Sequence, residues 1–252
     1  MKKFWEFDSL HFDDVAIIEE NEASVSYGQL DQDVSIFVKK LPDYRPLAFA
    51  KVTNSYASLV TYLSCLRYSV PVLLLDSNLN NNLFDKLVTH YNPNIIISEG
   101  SIQNRHSEKL DLNTELALML STSGSTGSPK LVRLSHKNLI SNACSISSYL
   151  EIDKNECAIT TLPMNYSYGL SVINSHLFSG GRLVLSNDSV ISRELWSKVK
   201  KFQVTSFSGV PYLYQTLRKL NYSRFNTTSI RYTTQAGGKL DIDSIRYFQK
   251  ES

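Results

Sequence analysis

Short runs of β-branched and leucine residues alternate with stretches of helical period along nearly the whole chain, and this rhythm constrains the fold more than any other feature. "PLAFAKV" (46–52) reads as a strand and "YASLVTYLSCLRYS" (56–69) as the helix after it; "PVLLLD" (71–76) and "NNLFDKLVTHY" (81–91) repeat the pair. "NIIIS" (94–98) adds a strand that is apolar on both faces, as a sheet covered on both sides requires. The pattern predicts βα units feeding a largely parallel sheet, an α/β fold. From Ser98 to Glu115 the composition turns polar, which predicts a surface connection.

The alternation then resumes. "LALMLST" (116–122) and "KLVRLS" (130–135) read as two strands, followed by the helix "HKNLISNACSISSYL" (136–150) with Ser135 as its N-cap. "CAITTLP" (157–163) and "RLVLS" (182–186) are strands around the helix "YGLSVINSHLF", which ends at Gly180 and Gly181. "ISRELWSKVKKF" (191–202) is amphipathic, and after "VTSFSGV" (204–210) a helix opens at Pro211, where proline suits a first turn. The strand "IRYTTQAGG" (230–238) precedes a last segment, "DIDSIRYFQKES", that begins a helix and stops in mid-rhythm, as a cut chain would.

Composition narrows the class. The chain has 252 residues, 42% hydrophobic and 20% charged, enough for a sizeable core in one large domain or two intimate lobes. The net charge of +2 comes without a basic run, so nucleic acid is a poor expected partner. The N-terminus lacks the uninterrupted apolar stretch of a secretory signal, and no apolar run is long enough to span a bilayer. Three cysteines, Cys65, Cys144 and Cys157, at unrelated spacings suit buried thiols in a reducing compartment, and a cytoplasmic protein is expected. His90, His136 and His176 form no metal or triad spacing, so no metal site is expected; a helix cap and a core or interface position are the readings for the last two.

One stretch carries chemistry. "LSTSGSTGSPKLVRLSH" (120–136) packs Ser, Thr and Gly into a single loop, a composition that folds tightly and turns several N–H groups into one concavity able to hold an anion. Lys130 adds a point charge for phosphate oxygens, and Pro129 stiffens the exit. The same composition also marks ordinary turns. A Walker loop is excluded by spacing, since four residues beyond Gly124 stands Ser128, then Pro129 where glycine is required, and Lys130 leads into an apparent strand. The glycine pattern of a dinucleotide fold fails as well.

The run Ser121, Thr122, Ser123, Gly124, Ser125, Thr126, Gly127, Ser128, Pro129, Lys130, Leu131 resembles the signature of the adenylate-forming ligases, the superfamily of acyl-CoA synthetases, luciferases and nonribosomal peptide adenylation domains. It departs from that signature at Ser121, where the family has an aromatic, and at Leu131, where it has glycine. Further likenesses follow in the family's order: "VSYGQLD" (25–31), "CLRYSVPVLLLD" (65–76), "LPMNYSYGLSV" (162–172) with Tyr166 at the family's histidine position, and "IRYTTQAGGKL" (230–240).

The resemblance implies a layered α-β-α architecture with largely parallel sheets, the N-terminal half of the ligase large domain, with the small mobile C-terminal domain and the Y-G-x-T-E motif absent before Ser252. It implies ATP and Mg²⁺, most metal-positioning groups lying in the absent half, a carboxylic acid substrate, and an acceptor thiol from CoA or the phosphopantetheine of an acyl carrier protein. Phosphates would be held by Thr122, Ser123, Gly124, Ser125, Thr126, Gly127 and Lys130, with Lys130 the catalytic cation. Gly237, Gly238 and Lys239 would border adenine, and Asn165 and Tyr166 the acyl pocket, although an aromatic in such a setting also serves as packing. The isolated chain is expected to bind ATP or pyrophosphate weakly at most and not to turn over; the other reading is a noncatalytic nucleotide- or acyl-binding remnant.

Overall fold

The computed structural model describes residues 2–7, 11–121, 130–225 and 228–251. In chain order the elements are β1 (Val15–Ile18), β2 (Ser24–Ser26), α1 (Tyr27–Val38), β3 (Ala48–Val52), α2 (Tyr56–Arg67), β4 (Val72–Asp76), α3 (Asn81–Tyr91), β5 (Ile95–Ser98), β6 (Ser101–Asn104), β7 (Leu116–Ser121), β8 (Leu131–Ser135) and α4 (His136–Tyr149). They continue with β9 (Cys157–Ile159), α5 (Ser167–Ser179), β10 (Arg182–Val184), α6 (Arg193–Lys201), β11 (Ser206–Gly209), α7 (Pro211–Lys219), β12 (Tyr232–Gln235) and α8 (Ile242–Glu251).

Two six-stranded sheets result, one in the order β12-β11-β9-β10-β1-β2 and the other β6-β5-β3-β4-β7-β8. Pairing is parallel except at β1–β2, β5–β6 and β7–β8. The apolar runs explain why both faces of each sheet are covered. In β3, Ala48, Ala50 and Val52 face a central core while Phe49 joins an outer one; β4 divides Val72 and Leu74 from Leu73 and Leu75 in the same way. The central core takes side chains from both sheets and from α1, α2, α4 and α5, so these helices form the middle layer. α6, α7 and α8 cover the outer face of the first sheet around Trp196, which stacks on Phe207 and Phe225. α3 covers the outer face of the second.

Local signals set the helix ends. Ser26, Ser55, Asn80 and Ser192 each accept a backbone N–H at a helix start, and Ser135 forms a reciprocal capping box with Asn138. α5 ends at Gly180, whose φ of 79° is the left-handed cap that glycine tolerates best.

Two departures from the sequence reading have simple causes. The polar stretch after Ser98 contains a strand, β6, paired antiparallel to β5 with Ile97 opposite Ile102. It is an edge strand with mostly exposed side chains, so it carries no apolar alternation to reveal it. Cys65 and Cys157 are buried, and burial pushes their thiols up to about 12 and about 11 respectively, but Cys144 is exposed on α4. Among the described residues no helix is long and apolar enough to cross a membrane.

Candidate functional site

The turn before α5 assembles one side of the site. Gly169, in the first turn of this helix, lies so close to residues 162 and 163 that a Cβ there would stand 2.4 Å from the Pro163 carbonyl oxygen. The approach orients Tyr166 toward the glycine turn after β12. Gly237 has φ of 82°, and a Cβ on it would fall 2.7 Å from the Tyr166 hydroxyl, so two segments far apart in sequence meet across a position that only glycine fills without strain. Gly238 packs beside Pro211 and its carbonyl accepts from Gln235 Nε2 at 2.8 Å; Lys239 is exposed.

Behind Tyr166 and Gly237 lies a cavity of about 870 Å³ enclosed by α4, α5, β11 and β12. Leu139 and Ile146 line it from α4 and Leu170 from α5, giving apolar walls. Its floor is polar, because β11 and β12 pair in parallel with Ser206 opposite Tyr232 and Ser208 opposite Thr234. Thr234 Oγ1 lies 2.7 Å from the Tyr168 hydroxyl and 2.9 Å from Ser208 Oγ. Burial pushes the Tyr168 phenol up against the opposing effect of these hydroxyl contacts.

His176 lines the same cavity and is buried. Its Nδ1 lies 2.8 Å from the Val172 carbonyl and must donate to it, which leaves Nε2 as an acceptor 3.4 Å from Ser206 Oγ. Burial lowers the His176 pKa, outweighing the Val172 carbonyl and the Glu156 carboxylate, which both raise it. Glu156, itself buried, is held by Arg231 and Thr205.

A pH dependence follows. With a folded pKa below its unfolded value near 6.5, His176 takes up a proton more readily in the unfolded chain, so stability is full above about pH 6.5 and falls as pH drops toward the folded pKa. Denaturant unfolding between pH 7 and 5 should show a loss of up to about 1.4 kcal/mol per pH unit, with a shallower slope in His176→Gln. An identical slope in that variant would remove His176 as the cause.

The structure distributes the expected site residues unevenly. Thr122, Ser123, Gly124, Ser125, Thr126 and Gly127 lie outside the described residues. The ends of that segment meet in the β7–β8 ladder, where Ser121 pairs with Leu131, and exposed Lys130 stands at the entry to β8. Tyr166 and Gly237 border the large cavity, whereas Asn165 faces a separate polar pocket of about 210 Å³ with Asn54, Asp76 and Asp188. Among the described residues no group of three or more His, Cys, Asp or Glu is arranged to hold a metal ion. Sequence reasoning missed Tyr168, Ser206, Ser208, Tyr232 and Thr234. The alternation Ser-Phe-Ser at 206–208 was the available signal, since it puts two hydroxyls on one face of a strand and Phe207 on the other.

A cavity lined by the parallel strands β11 and β12 and bordered by a glycine turn is the kind of place where an α/β fold holds a small molecule. The chain belongs to the AMP-binding enzyme family, whose sequence model matches residues 101–251. It is 26% identical over 189 residues to the probable CoA ligase CCL5 of Humulus lupulus, covering 71% of this chain and 33% of that protein. It is 29% identical over 177 residues to the peroxisomal OPC-8:0-CoA ligase 1 of Arabidopsis thaliana, covering 69% and 30%. The chain thus spans about a third of the length of these curated relatives. Among solved structures, apo MatB from Rhodopseudomonas palustris superposes with a TM-score of 0.81 at 20% identity, covering 99% of this chain and 58% of that one. The O-succinylbenzoate CoA synthetase MenE from Bacillus subtilis in complex with AMP gives 0.83 at 18% identity, covering all of this chain and 71% of that one. These likenesses show the shared fold.

Proposed function

We propose that residues 1–252 form part of the large domain of an adenylate-forming carboxylate ligase, with the acyl chain of the acid in the large cavity and ATP across its mouth. The observation that carries this reading is the contact between Tyr166 and Gly237, which joins the apolar cavity to the glycine turn at one point. An acid held with its chain inward would present its carboxylate there. Gly237, Gly238 and Lys239 would take the adenine side. Thr122, Ser123, Gly124, Ser125, Thr126, Gly127 and Lys130 would take the β- and γ-phosphates, and Asn165 would stand behind Tyr166 beside the polar pocket.

In the reaction, a carboxylate oxygen bonds to the α-phosphorus, the bond from that phosphorus to the bridging oxygen of the β-phosphate breaks, and pyrophosphate leaves with the electron pair. A thiol then loses its proton and its sulfur attacks the acyl carbonyl, the bond from that carbon to the phosphate oxygen breaks, and AMP departs with the electron pair. Negative charge grows on the leaving phosphates, so the amides and hydroxyls of residues 122–127 and the Lys130 ammonium would supply electrostatic stabilisation where it is needed. Mg²⁺ would arrive on the triphosphate, its usual carrier, and neutralise part of that charge. The CoA ligases among the relatives favour coenzyme A over the phosphopantetheine of a carrier protein as the thiol.

Calorimetric titration of the chain with pyrophosphate tests the phosphate site. Weak saturable binding is expected, reduced roughly tenfold in Lys130→Ala, as loss of a hydrogen bond between charged groups entails. Equal affinity in the two proteins would remove Lys130 from the site, and no uptake by either would remove the site from this chain.

A further inference from the structure

Where α4 ends, the chain makes a helix stop without the glycine such a stop usually carries. Leu150 is the C-cap, the Glu151 N–H donates to the Ser148 carbonyl at 3.4 Å, and the Ile152 N–H donates to the Ser147 carbonyl at 2.9 Å. This two-bond pattern places one residue in the left-handed region, where glycine is the common choice. Here that residue is Glu151, with φ of 53°, a conformation that a residue with a side chain keeps when its surroundings hold it.

Arg231 supplies the hold. Its Nη2 donates to the Leu150 and Glu151 carbonyls, each at 3.4 Å, and lies 2.5 Å from Oε1 of buried Glu156. One guanidinium thus grips the helix exit while a carboxylate anchors it. Arg231 directly precedes Tyr232, which opens β12 and lines the cavity, so the exit of α4 is fastened to the opposite wall.

The turn delivers Ile152. Its side chain is buried and lines the cavity, yet it joins none of the three apolar cores. It shares the deep end of the cavity with His176 in the last turn of α5, Ser206 at the start of β11 and Tyr232 at the start of β12. The opposite end is the contact between Tyr166 and Gly237.

We propose that Ile152 is the stop against which the tail of the acid comes to rest, and that Arg231 is the positioning residue that keeps it there. The proposal rests on the cavity being the acyl site, and it names the substrate class as straight medium-chain acids. From Ser167 beside the mouth to His176 at the deep end, α5 covers about 14 Å, the reach of an extended chain of that class. Leu139, Ile146 and Leu170 give it apolar walls on the way. A longer acid has to displace Ile152, and the turn cannot yield without breaking the bonds of Arg231.

Calorimetric titration of the intact chain with straight-chain acids from hexanoic to hexadecanoic, each below its micellar concentration, tests this. In the native chain affinity should rise about fourfold per added methylene and then stop rising at a cut-off length. One carbon beyond that cut-off, Ile152→Ala should bind at least about fourfold more tightly than the native chain, and Ile152→Phe should move the cut-off to shorter acids. Hexanoic acid, too short to reach the stop, should bind all three proteins alike. Arg231→Lys keeps a cation for Glu156 but lacks the guanidinium fork, so it should relax the cut-off toward longer acids and leave hexanoic acid binding unchanged.

A cut-off that stays in place in the Ile152 variants would overturn the stop, as would a native affinity that climbs without a break to hexadecanoic acid. The native cut-off in Arg231→Lys would remove the positioning role. The two Ile152 substitutions change volume in opposite senses, so if a melting curve shows one of them unfolded, the other decides. Failure of the wider reading looks different. If no acid in the series binds the native chain saturably, the acyl cavity and this proposal fall together, whereas saturable binding with no cut-off leaves the cavity standing and removes only the stop.

Discussion

Gly169→Ala should destabilise the protein by about 3 kcal/mol or more, the upper end for overpacking because backbone rather than a side-chain tip is in the way. A Cβ would stand 2.4 Å from the Pro163 carbonyl oxygen and 2.8 Å from that of Leu162. Neither carbonyl can swing aside, because each is already engaged. Pro163 O accepts from the Tyr166 N–H at 3.0 Å, and Leu162 O accepts from buried Asn54 Nδ2 at 3.1 Å. Asn54 in turn donates to Ser186 O and accepts from the Met164 N–H, so the turn is braced from two sides. For a domain of this size the loss corresponds to a fall in melting temperature of about 6–12 °C. Gly238→Ala is the matched control, since its Cβ would come 3.2 Å from a proline ring carbon, and it should cost less than about 1 kcal/mol. Thermal and denaturant unfolding of the two variants decide the matter: a Gly169→Ala protein no less stable than Gly238→Ala would show that the turn can relax after all.

That glycine was visible in the sequence as part of "LPMNYSYGLSV", but its reason was not. The likeness places a glycine two residues before Ser171 without saying that a helix must start against the backbone of the strand exit. Much of the architecture was legible in a stronger sense. The runs "VLLL" (72–75) and "III" (95–97) are apolar at every position because Leu73 and Ile96 enter an outer core while Leu74 and Ile97 enter the central one, and a pattern without alternation predicts a strand buried on both faces. β6 was illegible for the converse reason: an edge strand with exposed side chains has no need of apolar residues.

The site divides along the same line between local and long-range information. The expectation for Lys130 and the six loop residues from Thr122 to Gly127 came from order and composition, since a phosphate cradle is built from neighbours in sequence, and those six lie outside the described residues. The cavity was not readable, because its floor exists only once β12 lies beside β11 in a particular register and α4 and α5 pack across them. Ser206 and Ser208 look unremarkable in "VTSFSGV", and their small side chains matter as volume as much as chemistry. His176 was read as a core or interface histidine, and it is buried; its place at the edge of a cavity depends on the strand that ends opposite it. Asn165 and Tyr166, adjacent in sequence, face different pockets because they lie in the turn that leads into α5, where Tyr166 is the extended N-cap residue.

Filling the cavity from α5 should separate acid binding from everything else the chain does. Ser171 lines the cavity, and its hydroxyl donates to the Tyr168 carbonyl of its own helix at 2.8 Å, so replacing it breaks a bond within α5 and not one between elements. Phenylalanine at this position would take up part of the cavity proposed for the acyl chain. Excluding a buried apolar segment of leucine size costs about 2–3 kcal/mol, so the affinity for a medium-chain probe such as octanoic acid should fall roughly 100-fold. Pyrophosphate affinity should be unchanged, since Lys130 is not among the residues that line the cavity, and Ser171→Ala should bind acid as the native chain does. Calorimetry on the three proteins, with a melting curve for each, gives the answer. A Ser171→Phe protein that folds normally and still takes up acid at native affinity would mean that the acyl chain lies elsewhere, and the large cavity would then need another occupant. Loss of pyrophosphate binding together with acid binding would instead mean that α5 carries the loop and the cavity as one rigid unit, in which case the two halves of the proposed site cannot be tuned independently.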